Sequence, residues 1–304
     1  MNSSLLKKTS ARVAGMAVMA LVGAIVVIAE DAPKKKDKSH EGPKQPWSSY
    51  KVHDMDRPTP PIITPGTAST PEKPGKAPSD AIVLFDGTDL SKWQAQGGGE
   101  PTFTLKDGEM LSTNLKDPKK NKALESKEQF GDVQLHVEWA APVPAEGSSQ
   151  GRGNSGVFLM GKFEVQVLDS FNNVTYADGQ ASAVYGQYPP QVNANRPPGE
   201  WQTYDIIFTR PRYTDGKLVE PAYLTVLHNG VMTQNHQRVE GPTGHMSVAK
   251  YPEKNFPDKG PLQLQFHGNP VHYRNIWVRP IEALDHQQHT GELAIPAAAV
   301  KETK

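Results

Sequence analysis

Apolar and polar residues alternate with a period of two along much of the chain after position 80, the pattern of half-buried strands. In Val133–Trp139, Val133, Leu135, Val137 and Trp139 face one way, while Gln134, His136 and Glu138 face the other. Leu262–His267 sets Leu262, Leu264 and Phe266 against Gln263, Gln265 and His267. The stretch from Gly151 to Phe171 predicts a hairpin of Ser155–Met160 and Phe163–Leu168 about the two-residue turn Gly161-Lys162. Glycine in the first loop position suits a type II′ turn. In that register Met160, Phe158 and Gly156 oppose Phe163, Val165 and Val167. Ser155, Val157 and Leu159 then share a face with Leu168, Gln166 and Glu164.

Further strands are predicted at Ala81–Phe85, Phe103–Leu105, Met110–Ser112, Trp201–Thr209, Ala222–His228, Val231–Gln234 and Val271–Val278. Asp107-Gly108 and Asn229-Gly230 mark tight hairpins. Ser170–Glu200 has no regular pattern, but its tyrosines and glycines suit a packed binding loop. Many short strands, tight turns and no helical periodicity predict an all-β fold. Its expected form is a jelly-roll β-sandwich of two curved antiparallel sheets.

The ends differ from this core. Lys7, Lys8 and Arg12 precede an apolar run, Val13–Ala29, so residues 1–29 read as an export signal cut after Ala29. The run is near the length of a membrane span, and an uncleaved anchor is the alternative. Only this segment would touch a membrane. Residues 30–79, rich in lysine and proline, read as an extended linker, 80–281 as the folded domain and 282–304 as a polar, alanine-rich tail. The expected location is exported, either periplasmic or extracellular. The 33 basic and 33 acidic residues balance, which argues against nucleic-acid binding. There is no cysteine, hence no disulfide, thiolate catalysis or thiolate metal site.

Three strand faces carry polar rows: His136 and Glu138, Glu164 and Gln166, Gln265 and His267. If their strands share one sheet, the rows merge into a patch of carboxylates, amides and imidazole. With nearby aromatic rings such a patch suits a sugar, whose hydroxyls need paired donors and acceptors and whose C–H faces pack on rings. Glu164 with Asp169, or Glu164 with Glu138, is a candidate carboxylate pair for acid–base work. Asp169 also reads as a turn cap at the end of its strand. His267, just before Gly268-Asn269-Pro270, is a candidate base or metal ligand. Arg152 and Arg274 are candidate substrate contacts, and Arg274 alternatively pairs with a sheet carboxylate. No G-x-S-x-G, P-loop or dinucleotide motif occurs.

The segments LFDGTDLSKW (Leu84–Trp93), GNSGVF (Gly153–Phe158), FEVQVLDS (Phe163–Ser170), GEWQTYDI (Gly199–Ile206) and LQFHGNPVHYRNIWVRP (Leu264–Pro280) resemble the 3-keto-disaccharide hydrolase domain family. The resemblance covers about residues 80–280. It implies a concanavalin A-like lectin/glucanase jelly roll acting on glycosides already oxidised at C3. A C3 ketone acidifies the C2 proton. A base removes it, the aglycone leaves C1, and water adds, so the sum is hydrolysis. Such chemistry needs a base and an electrophile for the enolate, for which a bound divalent metal ion is one possibility. The family motifs contain Asn154, Glu164, Gln166, Asp169, Gln265 and His267. They imply Glu164 or His267 as base, with Asn154, Gln166 and Gln265 on hydroxyls or the keto oxygen and Arg152 and Tyr185 at the mouth. Phe266 and Met160 depart from the family's frequent acidic residue and arginine.

Two rival readings share these residues. A non-catalytic, lectin-like carbohydrate-binding module would use the same groove for binding alone. A retaining β-glucanase would need an E-x-D-x-E cluster, and FEVQVLDS carries glutamine at its centre.

Overall fold

The computed structural model describes residues 36–39, 41–113, 116–254 and 256–281. The export segment 1–29 and the tail 282–304 lie outside the described residues. Residues 36–58 belong to a separate small unit, in which Lys44 bridges to Lys51. Residues 59–281 belong to the main unit.

Among the described residues, fifteen strands build the main unit. They are β1 (Ile82–Phe85), β2 (Trp93–Ala95), β3 (Thr104–Lys106), β4 (Glu109–Leu111), β5 (Leu124–Phe130), β6 (Val133–Ala140), β7 (Ser155–Leu159) and β8 (Phe163–Val167), followed by β9 (Gln202–Thr209), β10 (Arg212–Thr214), β11 (Lys217–Glu220), β12 (Tyr223–His228), β13 (Val231–Arg238), β14 (Gly260–Leu264) and β15 (His272–Pro280). One sheet has eight strands in the order β13-β12-β9-β6-β15-β4-β3, with β1 also on β15. The other has five, β2-β5-β14-β7-β8, and β10 and β11 form a ribbon. All pairings are antiparallel, and the two sheets form the expected jelly-roll sandwich.

The core lies between the sheets, filled by the alternating apolar positions. Val157, Leu159, Phe163, Val165, Val167, Leu262 and Leu264 come from the five-stranded sheet; Val133, Leu135, Val137, Trp139, Tyr204, Ile206 and Phe208 come from the eight-stranded sheet. Phe163 meets Phe208 across the gap with ring centroids 5.4 Å apart. Two buried tyrosines of the larger sheet reach across with their hydroxyls. Tyr204 donates to the Gln166 carbonyl at 2.7 Å, and Tyr273 donates to Ser155 Oγ at 2.7 Å. A buried hydroxyl without a partner is costly, so these bonds tie the β7–β8 hairpin to its neighbour.

The hairpin register differs from expectation by one residue. Leu159 pairs with Phe163, Phe158 with Glu164 and Gly156 with Gln166. Met160 and Gly161 both have positive φ, 54° and 63°, so the turn is type I′ and one residue longer in its loop. A slip of one exchanges the partners across the hairpin. Val157 and Leu159 thus join the core, and Phe158 and Gly156 join Glu164 and Gln166 on the outward face. Strand β5 was not predicted, because Lys127, Glu128 and Gln129 break its apolar alternation.

Residues 64–79 depart from the linker expectation. Thr67 N–H donates to the Lys76 carbonyl, and the segment docks on the outward face of the eight-stranded sheet. Arg274 donates to the carbonyls of Pro71 (2.9 Å) and Thr70 (2.6 Å), and the Ser69 hydroxyl donates to Glu138. Asn275, at φ 46°, bulges β15 and adds its amide to Glu138 at 2.6 Å.

Burial opposes ionisation of Glu138, but hydrogen bonds from His136, Ser69, Asn275 and Arg274 outweigh it and bring its pKa down from 4.5 to about 2. Burial likewise lowers His136, but Asp205 and Glu138 outweigh it and raise its pKa from 6.5 to about 9. Glu138 therefore stabilises the fold above pH 4.5 and loses that contribution as pH falls through 2. His136 stabilises it fully below pH 6.5 and loses that contribution as pH rises through 9. His136→Gln is expected to flatten the fall in stability on the alkaline side, a fall of up to about 3 kcal/mol, in urea unfolding measured at a series of pH values.

Candidate functional site

On the outward face of the five-stranded sheet, β14 and β8 flank β7. The row of β14 and its continuation carries Gln263, Gln265 and His267; that of β8 carries Glu164 and Gln166. Between them β7 offers Gly156, opposite Gln166 and accepting the Gln265 N–H on its carbonyl at 2.9 Å. A missing side chain at the centre of three strands makes a hollow. A Cβ on Gly156 would lie 2.3 Å from Glu164 Oε1 and 3.0 Å from the Phe158 ring. The resulting pocket has a volume of about 320 Å³.

Two loops complete its walls. The segment after β8 runs beside that strand, bonding Ala183 to the Gln166 N–H and Ser182 to the Gln166 carbonyl, and delivers Tyr185. This is the packed loop expected from its tyrosines. The Gly241–Ala249 segment brings Thr243, whose hydroxyl accepts the Glu164 N–H at 3.0 Å, and His245.

Glu164 lies at the floor, 3 % exposed. Burial is the one cause that moves its titration, and it pushes the pKa from 4.5 up to about 8. Without a paired cation the charged form loses hydration and gains little in return. Gln166 is its polar neighbour. With its NH2 toward Gln150 Oε1 (3.0 Å), the Gln166 carbonyl faces Glu164, an arrangement that suits a protonated carboxyl. Turned over, its NH2 donates to Glu164 Oε1 at 3.2 Å and to the Ser155 carbonyl at 3.0 Å, which suits the carboxylate. The Tyr185 hydroxyl meets Tyr176 Oη at 2.9 Å and His245 Nδ1 at 3.2 Å. Burial, then the Tyr176 hydrogen bond, raises its pKa and keeps it protonated.

Of the residues singled out in the sequence, Asn154, Glu164, Gln166, Tyr185, Gln265 and His267 line this one pocket. Four others do not. Asp169 is buried in a two-pronged pair with Arg152, at 2.7 and 3.0 Å, and also accepts the Phe171 N–H. Both residues hold the turn after β8, so Asp169 is a cap and Arg152 its counterion. Glu138 and Arg274 lie on the opposite sheet, bonded to each other at 2.7 Å. The three polar rows therefore do not merge: β6 belongs to the other layer, and neither proposed carboxylate pair forms.

Sequence reasoning missed Phe158, Thr243 and His245. The register slip hid Phe158, and the Gly-Pro-Thr-Gly-His stretch has no periodicity. Of the two departures from the family pattern, Met160 is buried in the turn and Phe266 packs on the core. Among the described residues, no group of three or more histidine, aspartate or glutamate side chains gathers as a metal-ligand set.

A pocket of amides, phenol, imidazole and one carboxyl on a sandwich face is a carbohydrate-type site. The chain belongs to the 3-keto-alpha-glucoside-1,2-lyase-like domain family, whose model matches residues 80–279. A crystal structure from Parabacteroides distasonis ATCC 8503, described as a candidate glycosyl hydrolase, is 42% identical to the chain. It has a TM-score of 0.68 and covers 75% of this chain and 96% of its own. A second protein of that organism, given the same description, is more distant: 18% identical, with a TM-score of 0.47, covering 67% and 94%. No curated protein matches the chain in sequence. The protein is thus a carbohydrate-active one.

Gly156→Ala is expected to cost about 1–3 kcal/mol of stability by overpacking against the carboxyl. The part of that cost due to the carboxyl should be relieved in a Glu164→Ala background, as a double-mutant cycle of urea unfolding would show.

Proposed function

We propose that the protein cleaves 3-keto-glycosides by elimination and hydration, with Glu164 as the base. The observation that carries this is a buried carboxyl, with no ion-pair partner among the described residues, at the floor of a sugar-sized polar pocket. A base titrating near 8 is matched to a carbon acid activated by a neighbouring ketone. Its depth favours it over His267, which stands exposed at the rim and serves to hold the substrate.

In the forward step Glu164 takes the C2 proton. The electron pair forms the C1=C2 bond through the C3 enolate, the C1–O bond breaks, and the leaving oxygen takes the proton of Tyr185. In the return step water adds its oxygen to C1 and passes a proton back to Tyr185, while Glu164 returns its proton to C2. Atoms and charges balance as hydrolysis. Gln166, Gln265 and Asn154 offer the amide donors and acceptors that the hydroxyls and keto oxygen require.

Release of aglycone from a 3-keto-glucoside, with and without chelator, tests this. Glu164→Gln is expected to lower kcat by about 10²–10⁴. The wild-type kcat/KM should rise about tenfold per pH unit and level near 8, as the carboxylate form fills. Saturable sugar binding with no release by the wild type would instead establish a lectin-like module. The proposal extends to location: residues 1–29 direct export to the periplasm or beyond. Mass spectrometry of the mature chain should then find its first residue at Glu30.

A further inference from the structure

The Glu164 pocket shares Tyr185 and His245 with a second, larger hollow of about 730 Å³. The two differ in chemistry. Amides and a carboxyl line the first; tyrosine rings and aliphatic groups dominate the second. Tyr176, Tyr185, Tyr188, Met246 and Val248 all line it. Met246 is 92 % exposed and Val248 95 %, large apolar side chains left open to solvent within three residues of each other. Singly exposed apolar residues are ordinary, but a pair lining, together with tyrosines, a hollow of ligand size is a binding feature. The Tyr185 hydroxyl stands on the shared wall, bonded to Tyr176 and His245.

Resting on the reading of Glu164 as the base, we propose that this larger hollow is the aglycone subsite and takes an uncharged aromatic aglycone. A sugar ring over Glu164 must direct its C1 substituent out of the small pocket. The wall bearing the proton-donating Tyr185 is the side on which the leaving oxygen must lie, and the larger hollow is what lies beyond. A second sugar would need a dense set of free donors and acceptors; Asp178, Gln187, Glu240 and Ser247 also line the hollow, but Gln187 is bonded to Gly241 and Glu240, and Glu240 accepts the Tyr188 hydroxyl. Flat rings instead stack on tyrosines and bury against thioether and methyl groups. The Asp178 carboxylate on the lining disfavours an anionic aglycone.

Calorimetry on the full domain carrying Glu164→Gln would compare naphthyl and methyl 3-keto-glucosides. The naphthyl compound is expected to bind about tenfold or more tightly, from the extra apolar area buried. Adding Val248→Asp should bring its affinity down to that of the methyl compound and leave the methyl compound unaffected. Val248 is exposed, so this change spares the fold. Equal affinities in the first protein, binding of neither compound, or a naphthyl preference untouched by Val248→Asp would each overturn the subsite. Turnover by the wild type separates the two ideas. Naphthyl preference without naphthol release would sink the catalytic reading and keep the aromatic subsite. Equal affinities with release of both aglycones would do the reverse.

Discussion

Strand β8 must satisfy two environments at once, and the rest of the molecule follows from that. Phe163, Val165 and Val167 anchor it in the core, while Glu164 and Gln166, between them, project into the pocket. Period two makes this possible, since successive side chains leave a strand on opposite faces. The strand holds its place because the larger sheet grips it from behind. Phe208 packs on Phe163, Tyr204 binds the Gln166 carbonyl, and Tyr273 binds Ser155 on the neighbouring strand. With the backbone fixed in this way, the carboxyl at 164 has little freedom to retreat from its buried position.

Two buried glutamates show how the surroundings decide what a carboxyl can do. Glu138 and Glu164 both sit on outward faces of the sandwich and both are almost wholly covered. Glu138 receives hydrogen bonds from His136, Ser69, Asn275 and Arg274 and titrates near 2, a permanent anion that fastens the 64–79 segment. Glu164 has no such counterion among the described residues and titrates near 8, so it can exchange a proton at physiological pH. The first is an ion pair whose desolvation is repaid by four donors. The second carries an uncompensated burial cost of the kind concentrated at reactive sites. The glycine at 156 makes the second arrangement possible, because any side chain there would occupy the space of the carboxyl.

The alternation of Val133–Trp139 and Leu262–Leu264, and the Asp-Gly and Asn-Gly turns, were enough to read an all-β sandwich from the chain. Asp107 and Asn229 do adopt the positive φ their turns demand. Glu164, Gln166, Gln265 and His267 stand out in the sequence because they fall at polar positions of otherwise apolar strands, and the structure gathers them in one pocket. Local pattern carries such information, since it depends only on neighbours along the chain. What it did not carry is equally physical. The hairpin register turned on whether Met160 would accept a left-handed conformation, and its backbone there packs closely against Gly260 from another strand. Strand β5, polar over Lys127–Gln129, is held by its pairing with β14 and β2 rather than by its own alternation.

The sequence by itself therefore determined the class of fold, the strands with clean alternation and the polar residues available for chemistry. Tertiary structure decided which of those residues meet. It separated Glu138 and Arg274 from Glu164 by assigning β6 and β15 to the opposite sheet, paired Asp169 with Arg152, and brought Thr243 and His245 in from a stretch with no pattern at all. Strand order and loop placement are set by contacts between segments far apart in the chain, whose energies do not appear in any local window. Whether a buried glutamate titrates near 2 or near 8 rests on those same distant contacts.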